Sequence, residues 1–302
     1  MIYLDAASNV KSKKEVLDLF IEVEEKELAN ANSLHQGGLD AFNLVTNYQN
    51  KLYELLNLSI DEYDIIHTSS GTECNNLAIK GFVNSHSGFG KHILVSPLEH
   101  SSVNATLGYL KDNNYEIEFI PIDKYGHIIL DELEKLIRPD TILVIINLVD
   151  GEVGFVQDYQ NIAKICSKHQ VTLFMDAVQG FGKLDIEFNK LDMFSFSPHK
   201  FGGLLGTGVL IKRKNIILTP LIHGGKSLSI YRSGSIPISL IAATYKATEL
   251  ALLEKNKNYQ IVSSLHDYLI NKIKDNKRIL INSTDMNPYI INISILGKKG
   301  MT

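Results

Sequence analysis

The stretch Val171–Lys200 reads VTLFMDAVQGFGKLDIEFNKLDMFSFSPHK. It opens on an apolar, β-rich run, Val171 to Met175, that ends on the acid Asp176, with Gln179 shortly after. A second apolar run, Met193 to Phe196, hands over to Ser197-Pro198-His199-Lys200. Two short apolar runs that each end on reactive side chains predict two strands of an open α/β sheet. Ligands in such sheets sit beyond the carboxyl ends of the strands.

Outward from this stretch, strands and helices alternate. Apolar spacing predicts helices over Lys14–Leu28, Thr72–Gly81, Ser101–Leu110, Leu130–Ile137 and Ile162–His169. A further helical segment, capped by Asp40, runs through Phe42, Val45, Tyr48, Leu52 and Leu56, after a loop at His35-Gln36-Gly37-Gly38. Strands are predicted over Asp64–His67, His92–Ser96, Ile117–Ile120, Thr141–Leu148 and Gly206–Lys212. The run Ile142-Leu143-Val144-Ile145-Ile146 lacks polar alternation, so the sheet is mostly parallel and covered on both faces. Two more helices, Ile238–Glu254 and Tyr259–Ile273, lead to a strand-like run, Tyr289–Ile295, and the chain stops at Lys298-Lys299-Gly300-Met301-Thr302. That leaves one strand of a second domain without partners. The expected division is a large domain over 1–255, with residues 1–12 packing against the small domain, and an incomplete small domain over 256–302.

Bulk properties narrow the function. The net charge of −4 is mild and dispersed, which argues against nucleic acid or an anionic membrane surface as partner. No apolar run is long enough to span a bilayer, and Asp5 interrupts the start before a signal-peptide core forms. The two cysteines, Cys74 and Cys166, fit a reducing cytoplasmic setting and sit in apolar helical patterns, so both read as structural. No His/Cys cluster has metal-ligand spacing, so no metal is expected.

The reactive residues gather at strand ends. A lysine that forms a Schiff base and an acid that faces a pyridinium nitrogen are the pair that pyridoxal phosphate (PLP) requires, and Lys200 and Asp176 supply both. Ser69-Ser70-Gly71-Thr72 places backbone N–H groups, hydroxyls and a helix start at one point, which suits a phosphate as well as an ordinary helix cap. His100, after the strand ending at Ser96, can stack on a flat ring and shuttle protons, though alone it is an ordinary loop histidine. Ser197 and His199 add a hydroxyl and an imidazole beside Lys200. The glycine-rich stretches His223-Gly224-Gly225 and Arg232-Ser233-Gly234-Ser235 are a surface loop or a reach toward a phosphate.

With these residues on the page, nearly the whole chain resembles the cysteine desulfurases, the NifS/IscS group of the class V aminotransferases, whose fold is the PLP-dependent transferase type I fold. Thr68-Ser69-Ser70-Gly71-Thr72-Glu73-Cys74-Asn75-Asn76-Leu77-Ala78-Ile79-Lys80-Gly81 is similar to the group's T-S-G-A-T-E-S-D-N-L-A-I-K-G. Glu99-His100 is similar to its E-H, Asp176-Ala177-Val178-Gln179 to D-A-x-Q, Ser195–Lys200 to S-F-S-G-H-K, and Arg232–Ser235 to R-S-G-T. The resemblance implies that Lys200 binds the cofactor aldehyde and that Asp176 contacts the ring nitrogen. Gln179 contacts the ring hydroxyl, His100 stacks on the ring, and Gly71, Thr72, Ser197 and His199 hold the phosphate. Ser235 reaches that phosphate from the other subunit of a homodimer.

It further implies L-cysteine as substrate, alanine as product, and a sulfur-acceptor protein as partner. Other class V chemistry, an aminotransferase or selenocysteine lyase, and a non-catalytic binding partner of the same fold are the alternatives. Three positions depart from the pattern. Gly151 stands where the group has an asparagine on the ring, Pro198 replaces a glycine, and Tyr3–Val10 is a degraded Y-L-D-x-A-A-T-T. The persulfide-forming cysteine and the arginine that grips the substrate carboxylate fall beyond Thr302 in the group.

Overall fold

The computed structural model describes residues 3–26, 29–225, 227–283 and 287–298. Its centre is a seven-stranded sheet of β1 (Tyr63–Thr68), β2 (His92–Val95), β3 (Glu116–Phe119), β4 (Thr141–Asn147), β5 (Thr172–Asp176), β6 (Met193–Phe196) and β7 (Gly208–Arg213). The spatial order is β1-β7-β6-β5-β4-β2-β3. Only β7 runs against its neighbours, pairing antiparallel with β1 and β6, so the carboxyl ends of the other six strands share one edge.

The missing alternation in β4 has its cause in the two layers around it. Val144 and Ile146 enter one apolar cluster, while Leu143 and Ile145 enter another on the opposite face. Successive strand side chains point to opposite faces, so a strand covered on both sides is apolar throughout. β5 behaves alike, with Leu173 and Met175 on one side and Phe174 on the other.

The helices are α1 (Lys14–Lys26), α2 (Gln36–Leu55), α3 (Gly71–Asn76), α4 (Phe82–His86), α5 (Ser101–Asp112), α6 (Leu130–Leu136), α7 (Tyr159–Lys168) and α8 (Ile238–Ile273). A π-helical turn, Leu77–Gly81, joins α3 to α4, so the helix expected at Thr72–Gly81 is longer and wider than its spacing indicates. The end of the first expected helix, at Leu28, lies outside the described residues, as do residues 299–302 of the chain stop.

Three expectations are corrected. The first concerns the start of α2. His35-Gln36-Gly37-Gly38 is its first turn rather than a loop: His35 is the cap, with Nδ1 accepting from the Gly38 N–H at 3.3 Å. Asp40 lies inside the helix and accepts from Gln36. Glycine belongs at 38 because a Cβ there would sit 2.2 Å from the Ser33 carbonyl oxygen.

The other two concern the C-terminal part. Ile238–Glu254 and Tyr259–Ile273 are one helix, α8, because Lys255-Asn256-Lys257-Asn258 holds no glycine or proline to end it. Tyr289–Ile295 is not a lone strand either. Only Ile293–Ile295 (β9) is extended and paired, antiparallel to β8 (Ile279–Ile281). Tyr289 and Ile290 pack on the large core instead, where Ile290 closes over Gly154.

Below the sheet edge, the ring of Phe181 stacks on Phe196 at 3.7 Å and meets Phe201 and Phe188 at 5.2 and 5.4 Å. This cluster fastens the turn after β5 to the segment that carries Lys200. Phe181→Ala leaves a cavity there and lowers unfolding free energy by about 3–5 kcal/mol, measured by urea denaturation.

Candidate active site

A cavity of about 470 Å³ opens at the carboxyl edge of the sheet. Gly71, Thr72, His100, Asp176, Gln179, Ser197, His199 and Lys200 all line it. Sequence-distant turns meet here because the six co-directional strands end on one edge.

Asp176, the last residue of β5, is 7% exposed. Its Oδ1 accepts from the Val178 N–H at 2.9 Å and its Oδ2 from Asn75 Nδ2 at 2.8 Å. Burial raises its pKa, and the two hydrogen bonds with the charges of His100 and Lys200 only partly offset this. Among the described residues no cation pairs with it.

Asn75 is the residue that sequence reasoning missed. Its Nδ2 also donates to Ser102 Oγ at 2.9 Å, and its Oδ1 accepts from Ser195 Oγ at 2.8 Å. Ser102 Oγ lies 2.7 Å from His100 Nδ1, and the Ser102 N–H donates to that same nitrogen at 3.1 Å. Nδ1 is therefore an acceptor, which leaves the neutral ring's proton on Nε2. One amide thus ties the acid to the imidazole. Asn75 falls inside the Thr68–Gly81 motif, but nothing in its local spacing says that it faces Asp176.

Glu99 directly precedes His100. It is 7% exposed and lines the cavity, and burial together with Asp176 and Asp150 raises its pKa well above the carboxylate range. Neither of its buried carboxyl oxygens has a hydrogen-bond partner among the described residues.

On the opposite side, Lys200 Nζ donates to the carbonyls of Ala7 and Ser8 at 2.7 and 2.8 Å. Its pKa is lowered, chiefly by burial, against the pull of Asp5 and Asp176. His199 is lowered too, by burial and then by Lys200 and Lys183. The N-terminal segment runs along this loop: Val10 N–H donates to the His199 carbonyl and Lys13 N–H to that of Gly202. Gln179 Nε2 donates to the Ala7 carbonyl at 2.8 Å.

The two substituted positions are accommodated. Pro198 opens a single helical turn over Pro198–Lys200, where it gives up no hydrogen bond, and Ser197 before it is extended as a proline demands. Gly151 lines the cavity, and a Cβ added there would meet nothing nearer than Gln179 Nε2 at 3.5 Å.

At the phosphate-like end, Ser70 caps α3 by accepting from the Glu73 N–H, and the Gly71 N–H donates to Ser197 Oγ at 3.1 Å. A Cβ at Gly71 would crowd Val178 at 3.2 Å and Ser197 at 3.3 Å. Ser235 does not line this cavity. It lies in a second cleft with His67, Thr207 and Arg232, and Arg232 donates to Glu73 at 3.1 Å from behind the turn.

These residues fit PLP. A buried carboxylate without a cation suits a protonated ring nitrogen, a half-buried lysine with lowered pKa suits an aldehyde, and the small-residue turn at Gly71 leaves room for a phosphate.

The sequence profile of the aminotransferase class-V family matches residues 2–300. Cysteine desulfurase IscS of Dictyoglomus turgidum is 35% identical over 280 residues, spanning 92% of this chain and 70% of that protein. A solved structure described as a NifS-like protein superposes with a TM-score of 0.94 at 29% identity, covering 99% of this chain and 83% of its own. The structure of SspA in complex with cysteine superposes with a TM-score of 0.85 at 29% identity, covering 98% and 84%. Fold, site and sequence agree: the chain belongs to the class-V aminotransferase family, among relatives that are cysteine desulfurases.

Proposed function

We propose that the chain is a PLP-dependent, cysteine-desulfurase-like enzyme that takes L-cysteine and leaves L-alanine, its sulfur passing to a thiolate acceptor. The observation that carries this reading is Asp176, a buried acid with no cation, across the same cavity from a lysine of lowered pKa. A protonated ring nitrogen placed against the Asp176 carboxyl would be held by charge in a site poor in water. The curated relatives and the cysteine-bound SspA structure support the choice of substrate.

PLP, when bound, supplies an electron sink for the bonds around an amino acid's α-carbon. Asp176 keeps that sink protonated, and Asn75 fixes the carboxylate's direction. Lys200, whose charge burial disfavours, binds the aldehyde and then moves protons at its Nζ. His100 covers the ring and offers a proton from Nε2. Gly71, Thr72, Ser197 and His199 hold the phosphate, and Gln179 holds the ring hydroxyl. Ser235, outside its own chain's cavity, serves the second subunit of a homodimer. Neither cysteine is the sulfur acceptor: both are buried, and burial raises both thiols, Cys166 to about 12.

Three outcomes test this. Borohydride treatment of the PLP-loaded chain traps the cofactor on Lys200, and Lys200→Ala abolishes the visible absorbance of lysine-bound PLP; a surviving band sinks the assignment. With dithiothreitol as thiol acceptor and reductant, sulfide yield from L-cysteine is the same for the parent chain and Cys74→Ser/Cys166→Ser; a drop in the variant makes one of these thiols the acceptor.

The third outcome concerns pH. A raised folded-state pKa at Asp176 means that the folded chain binds more protons than the unfolded one, so stability falls as pH climbs from the ordinary aspartate range through the raised value. Asp176→Asn removes that loss. In urea denaturation of cofactor-free protein at about pH 5 and about pH 8, the difference between the two moves in favour of the variant as pH rises. The same variant binds PLP roughly tenfold or more weakly.

A further inference from the structure

Lys183 lies one turn beyond Gln179 and is 8% exposed. A lysine buried so far normally pairs with an acid. Among the described residues no carboxylate pairs with this one. Its Nζ donates to Gln179 Oε1 at 3.2 Å and lies 5.7 Å from the centre of the Tyr289 ring. Burial pushes its pKa down to about 8, with Lys200 pushing the same way.

This contact decides the direction of a side chain that faces the cavity. An ammonium only donates and a backbone carbonyl only accepts. With Lys183 on one side and the Ala7 carbonyl on the other, the Gln179 amide has one self-consistent orientation: Oε1 toward Lys183, Nε2 toward Ala7. Nε2 keeps a second N–H, and this nitrogen lies 3.5 Å from where a Cβ on Gly151 would stand.

We propose that Lys183 is a positioning residue: its buried ammonium, paired with no acid among the described residues, orients the Gln179 amide toward the cavity. Its functional meaning rests on the PLP reading, but its physical content does not.

The first measurement therefore uses the cofactor-free chain. The side-chain amide of Gln179 is followed by 1H–15N NMR across pH, its signals assigned by their loss in Gln179→Glu. In the parent these signals move as pH passes through about 8, where Lys183 gives up its proton. In Lys183→Met, which fills the buried site without charge, that movement is lost. Amide signals with the same pH dependence in the parent and Lys183→Met overturn the proposal.

The second measurement is PLP affinity, read by the visible band. Lys183→Met weakens it roughly tenfold, the scale of one charge-assisted hydrogen bond, and Lys183→Arg restores most of the loss. Unchanged affinity overturns the orienting role. Failure of the parent chain itself to bind PLP sinks the PLP reading alone, because the cofactor-free titration still decides the coupling between Lys183 and Gln179.

Discussion

The site depends on one carboxyl group held where burial opposes its charge. Asp176 is withdrawn from water at the end of a central strand, and two hydrogen-bond donors only partly offset that loss. The Val178 N–H comes with the turn itself. The other, Asn75, comes from a helix across the cavity, and the same amide reaches Ser102 and through it His100. Moving Asn75 therefore disturbs acid and imidazole together. The buried charge also explains the cavity's appetite: a cation placed against Asp176 recovers what desolvation costs.

The surroundings share this logic of placing opposite demands side by side. Glu99 and Asp176 are both buried acids in one wall, yet only Asp176 has side-chain and turn donors. A shared environment that solvates one acid and not the other sets their proton affinities apart, with Glu99 raised the further. On the facing side, Lys200, His199 and Lys183 crowd three basic groups together, and each is lowered primarily by burial. The backbone carbonyls of Ala7 and Ser8 hold Lys200 without adding a second negative charge, which leaves its amine easier to deprotonate than an ion pair would.

Much of this was legible in the linear order. The buried strands announce themselves because a strand covered on two faces is apolar at every position, as Ile142–Ile146 is. The residues that end those strands, Asp176, His100, Ser197, His199 and Lys200, were readable for the same reason: chemistry stands where apolar runs stop. The errors fall where local pattern is silent. Gly37 and Gly38 look like a loop until Ser33 is seen pressing on the helix start. The stretch Lys255–Asn258 looks like a break between helices, yet polar residues without glycine or proline continue a helix readily. Tyr289 looks like the start of a strand, but it packs against the core beside Lys183.

The sequence by itself therefore determined the α/β class, the strand ends and the family, because each is written in residues close together along the chain. Tertiary structure alone decided which polar groups became partners. Asn75 meets Asp176 across 101 positions, and Lys200 meets Ala7 across 193. It also decided that Lys183, written like any surface lysine in a glycine-rich turn, is buried without an acid. Burial and hydrogen-bond partners are set by what the rest of the chain brings near. A residue's neighbours in sequence do not contain that information.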